Sequence, residues 1–436
     1  MNPLLDRLRH DAIAIYDAAV DGVEPRRALA RALALTPPPE RVRLLAFGKA
    51  AYAMTAAAVQ HLEHLDVPLS GGVVITPDAG ASPDPRLRRL LGDHPLPGAQ
   101  SEAAAAALAE AIRPADPREE TWVLLSGGTT SLIGTPVDGM SPTEYQLLMR
   151  ELGRAGLPIG ELNRARKRFS RWGGGRLAAA LHPRRVRVFA MSDVPGDLPE
   201  DIGSGPCEPD PSTAGDIADL LRRSAAHVEI PAVAFRWLDR VVRGDAPETP
   251  KPGDPIFEAV STRVIGSNAV AREQAAVRAR ALGYVAVIED ELLTGEAADT
   301  GRRIAVRSLA LAPGTVWIAG GETTVSLGAE PGAGGRCQEL ALAAARELAP
   351  TAGRPPVVVL AAGTDGRDGP TDAAGAVVHA GTWAEIEAAG VDPARALARH
   401  DAYPALRAAG ALLRPGPTGT NVMDVMILVV GAPPEG

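Results

Sequence analysis

Short apolar runs that end near a glycine and open onto a helical pattern recur along the chain. The first is Val42-Arg-Leu-Leu-Ala-Phe47, followed by Gly48-Lys-Ala-Ala51 and a helix through Ala58. Runs this short, bounded by turn residues, have the length of buried strands rather than of helices. The same reading applies to Gly72–Thr76, Trp122–Leu125, Val186–Met191, the Val264-Ile265 run, Tyr284–Ile288, Val316–Ala319, Val357–Ala362 and Val425–Val430. Two helices are expected in the first forty residues, ending at Pro37-Pro-Pro39. An alanine-rich helix should run through Ile112 with Ser101 as its cap. Between Thr76 and Gly92 the pattern predicts only a loop. Strands alternating with helices throughout predict an α/β protein with mostly parallel sheets.

The pattern breaks at Arg243-Gly-Asp-Ala-Pro-Glu-Thr-Pro-Lys-Pro-Gly-Asp-Pro255, which is rich in proline and polar residues and reads as a linker. This predicts two domains, residues 1–242 and 256–436, within a length of 436 residues that suits two or three.

A net charge of −8 argues against nucleic acid or an anionic membrane as a general partner. The two cysteines, Cys207 and Cys337, form no CxxC pattern, which suits a reducing cytoplasm. No apolar stretch is long and clean enough to span a bilayer. Asp6 and Asp11 within the amphipathic N-terminal pattern speak against a signal or transit peptide, so a cytoplasmic protein is expected. Lysine occurs only at Lys49, Lys167 and Lys251, and asparagine only at Asn2, Asn163, Asn268 and Asn421. In a chain this averse to both, one inside a glycine-rich motif is a better functional candidate than usual.

The glycine motifs cluster after the apolar runs. A strand that opens through glycines onto a helix offers bare backbone N–H groups and a positive dipole end, which suits phosphate. Gly320-Gly-Glu-Thr-Thr324 leads towards Arg336 and the helix at Leu340–Ala345, with Glu322 and Glu339 as added acceptors. Ser126-Gly-Gly-Thr-Thr130 repeats the same grammar after Trp122–Leu125. Lys49 stands at the first strand–helix turn, which lacks the flanking residues of a P-loop. Asn163-Arg-Ala-Arg-Lys-Arg168 is the one dense basic run, and Ser192-Asp-Val-Pro-Gly-Asp197 places two aspartates at a strand end. Gly363-Thr-Asp-Gly-Arg-Asp368 is an acidic glycine loop, and Gly416-Pro-Thr-Gly-Thr-Asn421 precedes the last strand. No Gly-x-Gly-x-x-Gly follows a strand and no Gly-x-Ser-x-Gly is present, which counts against a nicotinamide dehydrogenase and an α/β hydrolase. The scattered histidines give no support to zinc catalysis. Glycine backbone, hydroxyls, one lysine, arginines and aspartates make an inventory for phosphoryl transfer.

Phe47-Gly-Lys-Ala-Ala51, Gly92-Asp-His-Pro95, Ser192–Asp197, Ser204-Gly-Pro206, Gly320–Thr324, Gly335-Arg-Cys-Gln-Glu339, Gly363-Thr-Asp-Gly366 and Gly416–Asn421 together resemble the glycerate 2-kinase family. In that family a DUF4147 domain precedes a C-terminal MOFRL domain, here expected at about residues 312–430. The resemblance runs in the family's order from about Ala46 to Asp424. It implies a Rossmann-like N-terminal domain, a C-terminal α/β domain and an active site in the cleft between domains. It also implies ATP and Mg²⁺ as cofactors, D-glycerate as the small-molecule substrate, and phosphorylation at the 2-hydroxyl; it leaves room for a homodimer.

On that resemblance Lys49 and Arg336 should neutralise the transferring phosphoryl group, and Asp193 should accept or orient the hydroxyl proton. Asp365 or Asp368 should help to hold Mg²⁺. Ser126, Gly127, Gly128, Thr129 and Thr130, with Gly320, Gly321, Glu322, Thr323 and Asn421, should bind substrate or phosphate, and Arg164 and Arg166 the glycerate carboxylate. Three positions depart from the family pattern. Thr129-Thr130 replaces a glycine-serine pair, Gly173 stands where a lysine is usual, and Cys337 where an asparagine is usual. Two other readings compete: an NAD(P)H-dependent hydroxypyruvate reductase, weakened by the absent dinucleotide fingerprint, and a non-catalytic paralogue that binds a sugar acid.

Overall fold

The computed structural model describes residues 3–113, 116, 118–224, 228–328, 332–348 and 355–431. The chain forms two compact units, one of residues 25–265 and one of residues 1–24 with 266–436.

In the unit 25–265, six strands form one sheet: β1 Arg41–Phe47, β2 Leu69–Thr76, β3 Leu87–Leu91, β4 Glu119–Leu125, β5 Val186–Met191 and β6 Val260–Gly266. Their order is β3-β2-β1-β4-β5-β6, and the pairs from β3 to β5 are parallel. β1 and β4 are buried along almost their whole length, as strands covered by helices on both faces must be. This is the doubly wound order 3-2-1-4-5-6, so the Rossmann-like expectation holds. Four helices, Pro142–Arg154, Ile159–Phe169, Ala214–Ser224 and Ala232–Val242, enclose a second core around Tyr145, Leu148, Phe169 and Trp237.

The other unit has β7 Val285–Ile288, β8 Thr315–Gly321, β9 Val357–Gly363, β10 Gly375–His379, β11 Leu412–Leu413 and β12 Asp424–Val430. Their order is β11-β10-β9-β12-β8-β7. Among the described strands of this sheet only β7 and β8 pair in parallel; β12 lies antiparallel between β8 and β9, and β10 is antiparallel to β9 and β11. The expectation of mostly parallel sheets therefore holds for the first unit and is corrected for this one. The acidic loop between β9 and β10 contains no helix, and without a helical crossover the chain returns as an antiparallel neighbour.

Two expected boundaries also shift. The helix Pro3–Gly22 buries Leu8, Ala12, Ile15, Tyr16 and Ala19 along one stripe and packs on the helix Asn268–Ala281, β9 and β12. The Tyr16 hydroxyl donates to the Gly363 carbonyl at 2.7 Å. The first helix thus belongs to the C-terminal unit, not to a domain 1–242. Nor is 243–255 a linker: Glu248 pairs with buried Arg168, Thr249 Oγ1 donates to Asp210 Oδ2 at 3.0 Å, and Lys251 Nζ donates to the Asp210 carbonyl at 3.1 Å. Those bonds fold the segment into the first unit, which then adds β6 as the sixth strand of its sheet. Among the described residues no helix is long and apolar enough to cross a membrane.

Candidate active site

The order of the first sheet reverses between β1 and β4, and sheets of this kind bind ligands beyond the carboxyl ends of strands at such a switch point. The turn after β1 and the loop after β4 are locked together there. Lys49 N donates to the Gly127 carbonyl at 3.0 Å, Ala50 N to Ser126 Oγ at 3.0 Å, and Ser126 N to the Phe47 carbonyl at 3.0 Å. Gly48 has a φ of +117°, and a Cβ there would collide with Ser126, so glycine is required for this approach.

Three titratable groups from three different strand ends surround this double turn. Lys49 follows β1 and is exposed; among the described residues its ammonium has no hydrogen-bond or ion-pair partner. Asp193 follows β5, and its carboxylate occupies the space that a Cβ on Gly127 would need. His94 follows β3, and its Cδ2 lies 3.1 Å from the position of a Cβ on Gly128. Burial raises the Asp193 carboxyl above the ordinary aspartate range, with the Lys49 charge pulling the other way. Burial and then the Lys49 charge both lower the His94 imidazole, which favours its neutral form. A free cation, a carboxylate of raised basicity and a neutral imidazole around bare backbone can bind an anion and take a proton from a hydroxyl.

Several expected ligands turn inward instead. Ser126 Oγ and Thr129 Oγ1 both donate to the Phe47 carbonyl, at 3.3 and 3.1 Å, and Thr129 Oγ1 also donates to the Ser126 carbonyl at 2.7 Å. Both residues are buried, and their hydroxyls satisfy the chain's own backbone rather than a substrate. Thr130 Oγ1 shares a 2.8 Å hydrogen bond with Ser204 Oγ. The basic run divides in the same way. Lys167 Nζ donates to the Glu200 carbonyl at 2.7 Å, and Arg168 pairs with Asp210 at 3.2 Å. Arg164 is exposed opposite Glu161 at 3.9 Å, and Arg166 is partly buried beside Tyr145, where desolvation lowers its pKa and Tyr145 opposes the shift. Gly173 is buried, and a Cβ there would lie 3.1 Å from the Lys167 carbonyl, so the usual lysine has no easy place at this turn.

The other unit carries its own polar cluster. Asp424 begins β12 opposite the last residues of both β8 and β9, Gly321 and Gly363. Arg336, the first residue of the helix Arg336–Glu347, forks onto it with Nε–Oδ2 at 2.6 Å and Nη2–Oδ1 at 2.9 Å. Its remaining edge, Nη1, pairs with Glu322 at 2.7 Å. Burial alone would lower the pKa of this guanidinium, but the Asp424 bonds and charge outweigh it and the net shift is upward. Asn268 Nδ2 holds the Val422 and Asp424 carbonyls, each at 2.9 Å. Cys337, at the departure from asparagine, is fully buried, and its thiol is raised by desolvation and then by Asp424.

The expected cradle residues of this unit serve packing. A Cβ on Gly320 would strike the Asn268 side chain, and one on Gly321 would strike the Leu293 backbone, so these glycines admit neighbours rather than a ligand. Thr323 is buried, and Asn421 Oδ1 accepts from Met423 N at 3.3 Å in a local turn. Residues 329–331 of the glycine-laced stretch lie outside the described residues. The metal assignment fits poorly. Asp368 accepts from Cys337 N at 3.2 Å and Gln338 N at 2.8 Å, and so caps the helix Arg336–Glu347. Burial pushes its carboxyl up to about 6, and Asp365 Oδ1 accepts from Arg367 N at 2.9 Å. Among the described residues no group of three or more His, Cys, Asp or Glu side chains could hold a metal ion.

His94 and Asp424, among the residues of these clusters, were absent from the sequence-derived site. His94 stood within the Gly92-Asp-His-Pro95 motif, and Asp424 directly preceded the last apolar run. Only the fold shows what each one faces.

A family model described as a domain of unknown function, DUF4147, matches residues 11–239, and the MOFRL family model matches residues 315–424. The chain is 36% identical over 431 residues to a D-glycerate 2-kinase from Thermotoga maritima, covering 97% of this chain and 98% of that one. It is also 36% identical over 429 residues to an Agrobacterium vitis protein provisionally named a hydroxypyruvate reductase, with 96% and 93% covered. Among solved structures, a glycerate kinase from Thermotoga maritima matches with a TM-score of 0.87 at 35% identity, covering 98% of this chain and 100% of that one.

Proposed function

This chain belongs to the glycerate 2-kinase family, and we infer that it transfers the γ-phosphoryl group of ATP to the 2-hydroxyl of D-glycerate. The observation that carries the reading is that the Asp193 carboxylate stands against Gly127 at the sheet's switch point, within the field of the Lys49 charge. The 2-hydroxyl oxygen attacks the γ-phosphorus, the bond from phosphorus to the β–γ bridging oxygen breaks, and ADP leaves. Asp193 takes the hydroxyl proton, and the basicity that burial gives its carboxylate suits that task. Lys49, which has no ion-pair partner among the described residues, offsets the negative charge that gathers on the equatorial oxygens. The bare backbone of Gly127 and Gly128 lets the acceptor approach closely, because a side chain at either position would meet Asp193 or His94.

Asp424 holds Nε and Nη2 of Arg336 and Glu322 pairs with Nη1, so a phosphate meets this guanidinium only by displacing Glu322. Asp365 and Asp368 both accept backbone N–H groups, and no step is routed through a metal held by them. Magnesium is taken to arrive as the Mg–ATP substrate, held chiefly by the phosphates.

The test is ADP release from Mg–ATP with and without D-glycerate, with the product's phosphate position read by ³¹P NMR. ADP formation that depends on D-glycerate and yields the 2-phosphate supports the reading. Nicotinamide oxidation with hydroxypyruvate and no ADP release would overturn it.

A further inference from the structure

His94 is fixed more firmly than an exposed loop residue needs to be. Gly92 N donates to the Thr76 carbonyl at 3.0 Å, and a Cβ on Gly92 would strike the Leu132 backbone. Asp93 Oδ2 accepts from Gln100 N at 2.8 Å and Ser101 N at 3.0 Å, while Ser101 Oγ accepts from Asp93 N at 2.8 Å. The residue is thus clamped from both sides, by the end of β2 and by the first turn of the helix Ala99–Ile112. Its imidazole nonetheless has no hydrogen-bond partner among the described residues. A rigid backbone with an unused polar ring suits a contact made only when substrate is bound.

The neighbouring residues identify the contact. Asp193 stands against Gly127, and His94 stands against the adjacent Gly128. Consecutive Cα atoms are about 3.8 Å apart. A carboxylate that takes a proton therefore sits one residue from an imidazole that can donate one hydrogen bond, with Lys49 charged beside both. A 2-hydroxy acid presents a matching pair, a hydroxyl on the carbon next to its carboxylate.

Resting on the kinase reading above, we propose that His94 is a specificity-determining residue that donates a hydrogen bond to the acceptor's carboxylate and thereby aligns its 2-hydroxyl with Asp193. The 3-hydroxyl, one carbon further away, is then out of register with the base. Arg164 and Arg166 were the sequence-derived candidates for this carboxylate. His94 takes the role because it stands at the switch point beside Gly128, whereas Arg164 faces Glu161 and Arg166 lies beside Tyr145.

The experiment compares wild type, His94→Ala and His94→Gln by D-glycerate binding calorimetry without nucleotide, alongside steady-state ADP release. A hydrogen bond to a charged group predicts D-glycerate binding weaker by on the order of 10- to 100-fold in His94→Ala. The KM for ATP should stay within about twofold, and His94→Gln, which keeps a donor, should recover part of the loss. The Ala variant should also release a detectable share of 3-phosphate product. Unchanged D-glycerate affinity in His94→Ala, with a wild type that turns over, would refute the His94 role and leave the kinase reading standing. So would equal losses for D-glycerate and ATP, because a structural role predicts them. A wild type that releases no ADP with D-glycerate would overturn the kinase reading, and this assignment with it.

Discussion

The Asp193 carboxylate fills the space a Cβ on Gly127 would occupy. The proposed base and the loop proposed to receive the acceptor are therefore in direct steric register. Gly127→Ala should push the carboxylate aside without touching the core. Misplacing a reacting group by about 1 Å costs on the order of 100-fold. We expect kcat for ADP release to fall by roughly that factor, with a melting temperature within a few degrees of wild type. A Gly127→Ala enzyme of near-normal kcat would mean that Asp193 has room to move and that the register carries no function.

The pH profile tests the link between Asp193 and Lys49. A base must be ionised to accept a proton, so activity falls as pH drops through its pKa. Burial raises that pKa, so the acid limb of kcat/KM should lie above the ordinary aspartate value of about 3.9. The Lys49 charge holds it partly down, so Lys49→Ala should move the limb to higher pH while lowering turnover by on the order of 10²–10³. An acid limb that stays put in Lys49→Ala would show that the two groups are not electrically coupled.

What was legible in the sequence follows from what is local. β5 coincides with its predicted run, and β1 and β12 begin one residue earlier, because short, mainly apolar runs bounded by turn residues are legible locally. β3 was missed, since Leu87-Arg-Arg-Leu-Leu91 is a half-exposed edge strand with two arginines in it. The placement of the first helix depends on contacts with β9 and β12, hundreds of residues away, and no local pattern encodes that. Ser101 illustrates a finer failure: it lies inside the helix Ala99–Ile112, and the cap is the Asp93 carboxylate from outside. Lys49 and Asp193 could be proposed from the sequence because strand ends gather at one edge of a parallel sheet. The hydroxyls of Ser126 and Thr129 were misread because a sequence does not show whether a hydroxyl faces a ligand or its own backbone.

Asp368 separates a helix cap from a metal ligand. It accepts two backbone N–H groups at the start of the helix Arg336–Glu347. Asp368→Ala should therefore cost about 1–2 kcal/mol of stability and leave the Mg²⁺ dependence of turnover unchanged. Its folded-state pKa, raised to about 6 from 3.8, means that the folded chain holds more protons than the unfolded one between those values. The group's contribution is then complete below about pH 4 and falls as pH rises through about 6, so the gap in melting temperature between wild type and variant should narrow over that range. A Mg²⁺ requirement raised tenfold with unchanged stability would restore the metal assignment.

The last prediction concerns Arg336 and Asp424, whose fork ties the helix Arg336–Glu347 to the first residue of β12. Asp424 is 1% exposed and Arg336 35% exposed, so the pair is not fully shielded from solvent. Breaking a buried pair costs about 3–5 kcal/mol, and the exposed edge of the arginine argues for about 2 kcal/mol here. Asp424→Asn should lose that stability and also weaken turnover, because Arg336 would lose the fork that fixes its Nε and Nη2 edge. If the carboxylate acts only through the arginine, the two losses must not multiply. The double variant Arg336→Met with Asp424→Asn should then turn over no more slowly than Arg336→Met alone. Multiplicative losses would instead give Asp424 a role of its own, and its place between the ends of β8 and β9 would make the two glycine loops the first suspects.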